Sequence, residues 1–281
     1  MEQGDFALDD RDFSRIKARL YQAAGISMSD AKRTLVISRL SRILRDGGFA
    51  GFSAYLDYLD HSADGEARQG FINALTTNLT RFWREDHHFD HLIGHIGEVV
   101  EAGGPKRLRL WSAGCSTGQE AYSMAMSLVD AYPELLRWDF RVLATDIDTR
   151  VLAEGAAGTY AATELNGLSA ERARLFEHLP DGRVRVPGDI RSIVQFKPLN
   201  LVAAAWPMRG PFDAIFCRNV AIYFDKKTQV ELFRRLGDLL RPGGYLYIGH
   251  SENPGVGESR FRSVGKTIYQ TRPGIESRSA A

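Results

Sequence analysis

Four stretches of this 281-residue sequence carry the residue types from which a ligand site is built. Leu108 to Ala121 (LRLWSAGCSTGQEA) runs from apolar residues into Gly114, Cys115, Ser116, Thr117 and Gly118, and then into a helical pattern. A strand ending in a loop of small residues lets a ligand lie against bare backbone, with N–H groups and a helix N-terminus facing it; an ordinary tight turn uses the same residues. The spacing departs from G-x-G-x-x-G, which argues against a dinucleotide. The apolar run Phe140 to Thr145 ends in Asp146, Ile147 and Asp148. An acid at the tip of the second strand is where a nucleoside-binding doubly wound sheet grips ribose hydroxyls. Asp148 also reads as the N-cap of a helix from Thr149, so Asp146 is the better ribose candidate. In Thr76 to Arg84 (TTNLTRFWR), Asn78 and Thr80 offer hydrogen bonds and Arg84 a planar fork for a carboxylate; the alternative is a loop with a helix cap near Thr80. Arg218 and Asn219 follow the buried run Phe212 to Cys217, at the strand end beyond which ligands sit in open parallel sheets.

The elements that must position these residues follow from hydrophobic periodicity. Residues 1 to about 92 contain helical patterns and no convincing strand. Asp9 or Asp10 caps a helix carrying Phe13, Ile16, Leu20 and Tyr21; Ser29 or Asp30 starts a second, ended by Gly47 and Gly48; Ser53 to about Leu59 and Glu66 to Leu75 continue the set. On the second helix Val36, Ile37, Leu40, Ile43 and Leu44 share one side, and Arg39, Arg42 and Arg45 the other. That basic face is either solvated or a docking surface for an acidic partner. A helix from about Glu85 to Val100 leads to a linker at Gly103, Gly104 and Pro105. The glycine loop opens a helix from Glu120 to about Val129. Further on, Arg183 to Val186 and Ile190 to Phe196 read as the two arms of a small antiparallel insertion turning at Pro187, Gly188 and Asp189. A helix capped by Asp225, a strand from Tyr245 and a hairpin of Phe261 to Ser263 with Thr267 to Gln270 follow, and 274–281 reads as a disordered tail.

Composition narrows the function classes. A hydrophobic fraction of 44% and a net charge of +1 describe a soluble globular protein without warrant for nucleic acid. The sequence predicts no signal peptide and no membrane span. Cys115 and Cys217, each at a strand end, read as reduced thiols, and no metal-ligand spacing is present. His87, His88 and His91 read as a surface face of one helix.

The segments TTNLTRFWRE, LRLWSAGCSTGQEAYS, ATDIDTRVL, FKPLNL, FDAIFCRNVAIYFDKKTQ and LLRPGGYLYIGHSEN, in this order, resemble the bacterial chemotaxis receptor glutamate methyltransferases, the CheR family, over nearly the whole chain. The resemblance implies an α/β fold: a doubly wound class I S-adenosylmethionine-dependent methyltransferase sheet of seven strands with a small antiparallel β insertion, preceded by an all-helical N-terminal domain. The expected division is a helical receptor-docking domain at 1–92, a linker at 93–106 and a methyltransferase domain at 107–273 with its β subdomain at about 180–196. The implied enzyme is a protein-glutamate O-methyltransferase of the cytoplasm, esterifying glutamates on methyl-accepting chemotaxis receptors and meeting the membrane only through them. Matched motif by motif, Asn78, Thr80, Arg84, Glu120, Asp146, Asn200, Leu201, Arg218 and Asn219 would hold S-adenosyl-L-methionine and its product S-adenosyl-L-homocysteine, the last four on the adenosyl side. Glu120 would receive the cofactor's ammonium, Arg84 would border the reacting centre, and Tyr223 would stand near the transferred methyl. Arg39, Arg42 and Arg45 would dock the receptor. Some family members bind a receptor C-terminal pentapeptide through a longer loop in the β insertion; Glu177 to Val186 is short for that, so the tether is expected not to be required.

The sequence departs from the family pattern at Gln119 and Ala121, where Glu and Pro are common, and at Trp83, where Phe is usual. Glu120 itself is kept. Two other readings stand beside the resemblance: a methyltransferase for nucleic acid or a small molecule, against which the lack of an Asn-Pro-Pro-aromatic stretch counts, and a non-catalytic cofactor-sensing scaffold, against which Arg84, Glu120, Asp146 and Tyr223 together count.

Overall fold

Asp9 accepts from the Asp12 N–H at 2.7 Å and so caps α1 (Asp10–Ala24), which Gly25 ends in the left-handed region. The structure is a computed structural model that describes residues 6–61, 64–255 and 260–272; the tail expected at 274–281 lies outside them. After a single tight turn at Asp30–Lys32 come α2 (Arg33–Asp46), α3 (Phe52–His61) and α4 (Gly65–Leu75). Phe13, Ile16, Leu20, Val36, Leu40, Leu44, Tyr55 and Phe71 close into a core that these four helices share.

The rest of the chain runs α5 (His87–Glu101), β1 (Arg107–Ala113), α6 (Gln119–Ala131), β2 (Asp139–Asp146), α7 (Thr149–Ala157), β3 (Thr159–Ala161), α8 (Ala170–Ala173), β4 (Glu177–His178), β5 (Arg183–Arg185), α9 (Gly188–Ile193), β6 (Val194–Pro198), β7 (Phe212–Cys217), α10 (Lys226–Leu239), β8 (Leu240–Ile248), β9 (Phe261–Gly265) and β10 (Ile268–Thr271). Seven strands form one sheet in the order β6-β2-β1-β7-β8-β10-β9. The first five run parallel, and β10 pairs antiparallel with both β8 and β9. Because β1 pairs with β2 on one side and β7 on the other, the chain reverses its winding there, and their carboxyl ends open a crevice.

Three expectations are corrected. The antiparallel insertion is the three-stranded sheet β3-β5-β4, not a hairpin of 183–186 with 190–196. Ile190 and Ile193 are three apart, which suits one helical face as well as an extended arm, and both are buried from α9; β6 then joins the large sheet beside β2. The division that began a linker at residue 93 is corrected in favour of the helical pattern read to Val100: α5 runs to Glu101, and its Leu92 and Ile96 pack with Leu108, Leu110 and Tyr122. The crossing between the two units is therefore the stretch 76–86. The histidine face of α5 is also not a free surface face: His87 and His91 are half-buried. His88 is fully buried with Nε2 2.8 Å from the Thr267 hydroxyl, and His91 Nδ1 lies 2.9 Å from the Tyr247 hydroxyl. Burial, with Arg218 nearby, lowers the His88 pKa to about 2, so its ring is neutral.

Hydrogen bonds from both units converge on Asp148, which is wholly buried. Its carboxylate accepts from the Arg150 N–H at 3.0 Å, capping α7, and from the Thr76 hydroxyl and the Asn78 amide at 2.8 Å each. The Arg150 guanidinium adds an ion pair at 3.1 Å. Nearby, Gln69 donates to the Ile147 carbonyl at 2.8 Å, Asn200 to that of Ala23 at 2.7 Å, and the Ser27 N–H to that of Tyr223 at 2.8 Å. Burial alone would raise the Asp148 pKa, but the hydrogen bonds from Arg150, Thr76 and Asn78 outweigh it and hold the carboxyl below its ordinary 3.8. Asp148→Ala is expected to cost about 2–4 kcal/mol in urea unfolding, from a lost cap and orphaned donors. A lowered carboxyl contributes stability that is present above its unfolded pKa and lost as pH falls through its folded one. The gap between parent and variant should therefore hold at neutral pH and close on acidification below 3.8.

Candidate active site

The crevice at the ends of β1, β2 and β7 is a cleft of about 1030 Å³, its solvent-facing part included. The stretch 76–84 forms one wall, and Ala24, Ile26 and Leu75 of the helical unit another. Asn78, Thr80, Arg84, Glu120, Asp146, Asn200, Leu201, Arg218, Asn219 and Tyr223 all line it. Arg39, Arg42 and Arg45 lie elsewhere, on α2. Arg42 and Arg45 are exposed, and Arg42 faces Asp46 at 3.5 Å. Arg39 is half-buried and donates to the Thr76 carbonyl at 2.5 Å, so it closes the end of α4.

The glycine loop is organised inward. The Gly114 and Cys115 N–H groups donate to the Thr145 carbonyl at 2.8 and 2.9 Å, and the Ser116 N–H donates to Asp146 Oδ2 at 2.9 Å. These donors bind β2 and its acid, where the sequence pattern suggested groups facing a ligand. Gly118 is required for packing: φ is +93°, and a Cβ there would stand 2.8 Å from Phe196 Cζ. The Asn78 amide is taken by Asp148, and its carbonyl accepts from the Ser116 hydroxyl at 2.8 Å. Asn200 is likewise held, its Oδ1 accepting from the Val202 N–H at 3.1 Å. Both asparagines fix the cleft walls.

The charges are concentrated deeper in. The Arg218 side chain is only 1% exposed; Nε lies 3.6 Å from Glu120 Oε2, and Nη2 lies 3.9 Å from Glu85 Oε1 and donates to the Arg84 carbonyl. Among the described residues Nε and Nη1 have no hydrogen-bond partner, nor does Glu85 Oε2. Glu120 accepts from the Ser112 hydroxyl at 2.7 Å. Burial raises its carboxyl pKa against the opposing pull of Arg218 and Ser112. Burial also raises that of Asp146, opposed by the N–H groups of Asp148 and Ser116. Trp83, Glu85, Ser116 and Asn219 all have positive φ (46°, 60°, 50° and 59°), which places backbone strain in the stretches that wall the cleft.

The departures at Trp83 and Gln119 are accommodated. The Trp83 indole N–H donates to the Ser127 hydroxyl at 2.7 Å, and buried Gln119 accepts from the Thr117 hydroxyl at 2.7 Å. Two acids that sequence reasoning passed over matter here. Glu85 sits in WRE and Glu252 in HSEN without a local signal, since their partners are distant in sequence.

The profile of the CheR methyltransferase all-alpha domain matches residues 11–76, and that of the CheR methyltransferase SAM binding domain matches 78–270. The two meet where the structure crosses between its units. The chain is 45% identical over 274 residues to a chemotaxis protein methyltransferase of Escherichia coli, covering 94% of this chain and 91% of that one. It is 42% identical to a probable chemotaxis protein methyltransferase of Rhizobium etli (89% and 96% covered) and 43% identical to chemotaxis protein methyltransferase 2 of Pseudomonas aeruginosa (94% of each).

The residues present fit S-adenosylmethionine. The buried Arg218 guanidinium, expected on the adenosyl side, has two nitrogens without a partner among the described residues and suits the carboxylate of the amino-acid end instead; Glu120 suits the ammonium, and Asp146 suits the ribose hydroxyls. Glu120 must be ionised to attract an ammonium. Affinity should therefore fall on acidification, and because the carboxyl is raised, the fall should begin at a higher pH than its ordinary 4.5 would set. Glu120→Gln is expected to weaken binding about tenfold to a hundredfold, the worth of a hydrogen bond between charged groups, and to flatten that limb in calorimetric titrations.

Proposed function

Because the chain belongs to the CheR methyltransferase family, and is thus an S-adenosylmethionine-dependent methyltransferase of chemotaxis, we propose that it esterifies particular glutamate side chains on the cytoplasmic helices of chemoreceptors. The observation that carries this reading is the convergence of Arg84 and Tyr223 on the cleft that also holds Glu120, Asp146 and Arg218. The cofactor supplies, when bound, a methyl group on a sulfonium. The rest is the work of this chain. A glutamate acceptor with an ordinary pKa of about 4.3 is already a carboxylate at neutral pH, so no general base is needed. Arg84, whose Nη1 donates to the Leu79 carbonyl at 3.1 Å, keeps its other donors for orienting a carboxylate, and guanidinium does not accept a proton. Tyr223 brings a hydroxyl to the same cleft. Ile26, Leu199, Leu201 and Phe224 give the cleft an apolar lining that displaces water, and positioning supplies most of the acceleration.

Arg42 and Arg45 offer an exposed basic face to acidic receptor helices; Arg39 contributes through its hold on α4. The β4–β5 connection consists of Leu179, Pro180, Asp181 and Gly182 alone, which supports methylation without a pentapeptide tether. The receptors place the enzyme in the cytoplasm, at the membrane only through them. Among the described residues no helix is long and apolar enough to cross a membrane.

Methyl-labelled cofactor mixed with the protein and receptor-containing membranes should label receptor, and alkali should release that label as methanol. Base-stable label, or none, would reject glutamyl ester formation. Tyr223→Phe is expected to lower turnover roughly tenfold to a hundredfold with cofactor affinity nearly unchanged. Reversing the charges of Arg42 and Arg45 should raise KM for receptor and leave cofactor binding as it was; unchanged kinetics would remove the docking face. Micromolar heat of binding with a receptor tail peptide would contradict tether-free action.

A further inference from the structure

Glu252 lies just past the end of β8 and is buried, 8% exposed. Its carboxylate accepts from five backbone N–H groups. Oε2 receives Gly249 at 2.6 Å and Asn219 at 2.9 Å; Oε1 receives Val220 at 2.9 Å, Ala221 at 2.7 Å and Ile222 at 3.3 Å. Four of these donors belong to the turn between β7 and α10. Successive N–H groups converge on one point when the backbone passes from left-handed to right-handed residues, as here from Asn219 (φ 59°) to Val220 (φ −115°, ψ −47°). Such a concavity binds anions, and this one is filled by the protein's own side chain.

The turn so held presents Asn219 and Tyr223 to the cleft. Its far side is also fixed, since the Gln229 amide donates to the Ala221 and Phe224 carbonyls at 2.9 Å each. At its near side a Cβ on Gly249 would stand 2.5 Å from Asn219 Nδ2, so the end of β8 and the turn are in direct contact. The flanking strands β7 and β8 keep their own ladder without Glu252.

The geometry points to Glu252 as a positioning residue for methyl transfer: it acts through the turn, setting where Tyr223 stands. This rests on the role proposed above for Tyr223. Glu252→Gln is nearly isosteric, but whichever oxygen becomes an amide nitrogen, at least two of the five donors lose their acceptor. We expect a cooperative thermal transition, amide exchange at residues 219–222 accelerated about tenfold or more with β7 unchanged, and kcat per folded enzyme lowered roughly tenfold to a hundredfold. Because the turn also carries Asn219, KM for the cofactor should rise too, but by a smaller factor than kcat falls, and Glu252→Asp should recover part of kcat. Since both residues act as one unit, the Glu252→Gln, Tyr223→Phe double variant should turn over within about twofold of its slower parent. Unchanged exchange, unchanged kcat in folded Glu252→Gln, or multiplicative losses in the double variant would overturn the assignment. So would a fall in turnover that follows only the amount of folded protein. A parent enzyme that labels no receptor glutamate would sink the functional reading instead, while the exchange data would still decide whether Glu252 holds the turn.

Discussion

Taking a guanidinium out of water costs several kcal/mol unless partners replace the lost hydration, and at Arg218 the replacement is incomplete. Glu120 and Glu85 stand near it at ion-pair distances and the Arg84 carbonyl accepts one N–H, yet among the described residues Nε and Nη1 find no hydrogen-bond partner. Burial lowers its pKa from the usual arginine value, and the two acids work against that shift. Raised carboxyls at Glu120 and Asp146 belong to the same economy of desolvation. A zwitterionic amino-acid group has the charges to supply the missing partners, which is the fit proposed above for the cofactor.

Carboxylates that accept from backbone N–H groups set the walls in place. Asp146 holds the glycine loop through Ser116, Asp148 holds the 76–78 stretch against α7, Asp225 caps α10 through the Thr228 N–H, and Glu252 gathers the turn after β7. At Asp146, Asp225 and Glu252 these donors are main-chain groups fixed by strand and helix ends, whereas Asp148 adds to the Arg150 N–H the Thr76 hydroxyl, the Asn78 amide and the Arg150 guanidinium. The result is a site whose irregular stretches are tied to strand and helix ends by these bonds.

The parts legible in the sequence were those set by local pattern. The apolar runs of β1, β2 and β7 and the small or charged residues directly after them predicted both the strands and the residues that meet in the cleft, because parallel strands deliver their carboxyl ends to one place. Legibility ended where partners are distant in the chain. Nothing around Glu252 signals that its carboxylate reaches back to Asn219, and the wheel that put Arg39 on an outer face has no knowledge of where α4 ends. The histidines of α5 were misread for the same reason, since Tyr247 and Thr267 arrive from the last strands. Residues 190–196 failed differently: their apolar spacing satisfies two periods, and only the vacant edge of β2 decides that helix gives way to strand at Val194.

The helical unit supplies Ala24, Ile26 and Leu75 to the cleft, and the end of α1 is bonded to Asn200 and, through Ser27, to Tyr223. Whatever docks on that unit and whatever fills the cleft therefore share a wall. Any displacement of the wall by one occupant carries a coupling free energy for the other, and thermodynamic linkage makes that coupling reciprocal. A receptor that tightens α1 against Tyr223 would raise cofactor affinity by the same factor by which cofactor raises receptor affinity. The two-unit architecture thus makes order of binding a matter of kinetics, with the ternary complex reached at equal free energy by either route.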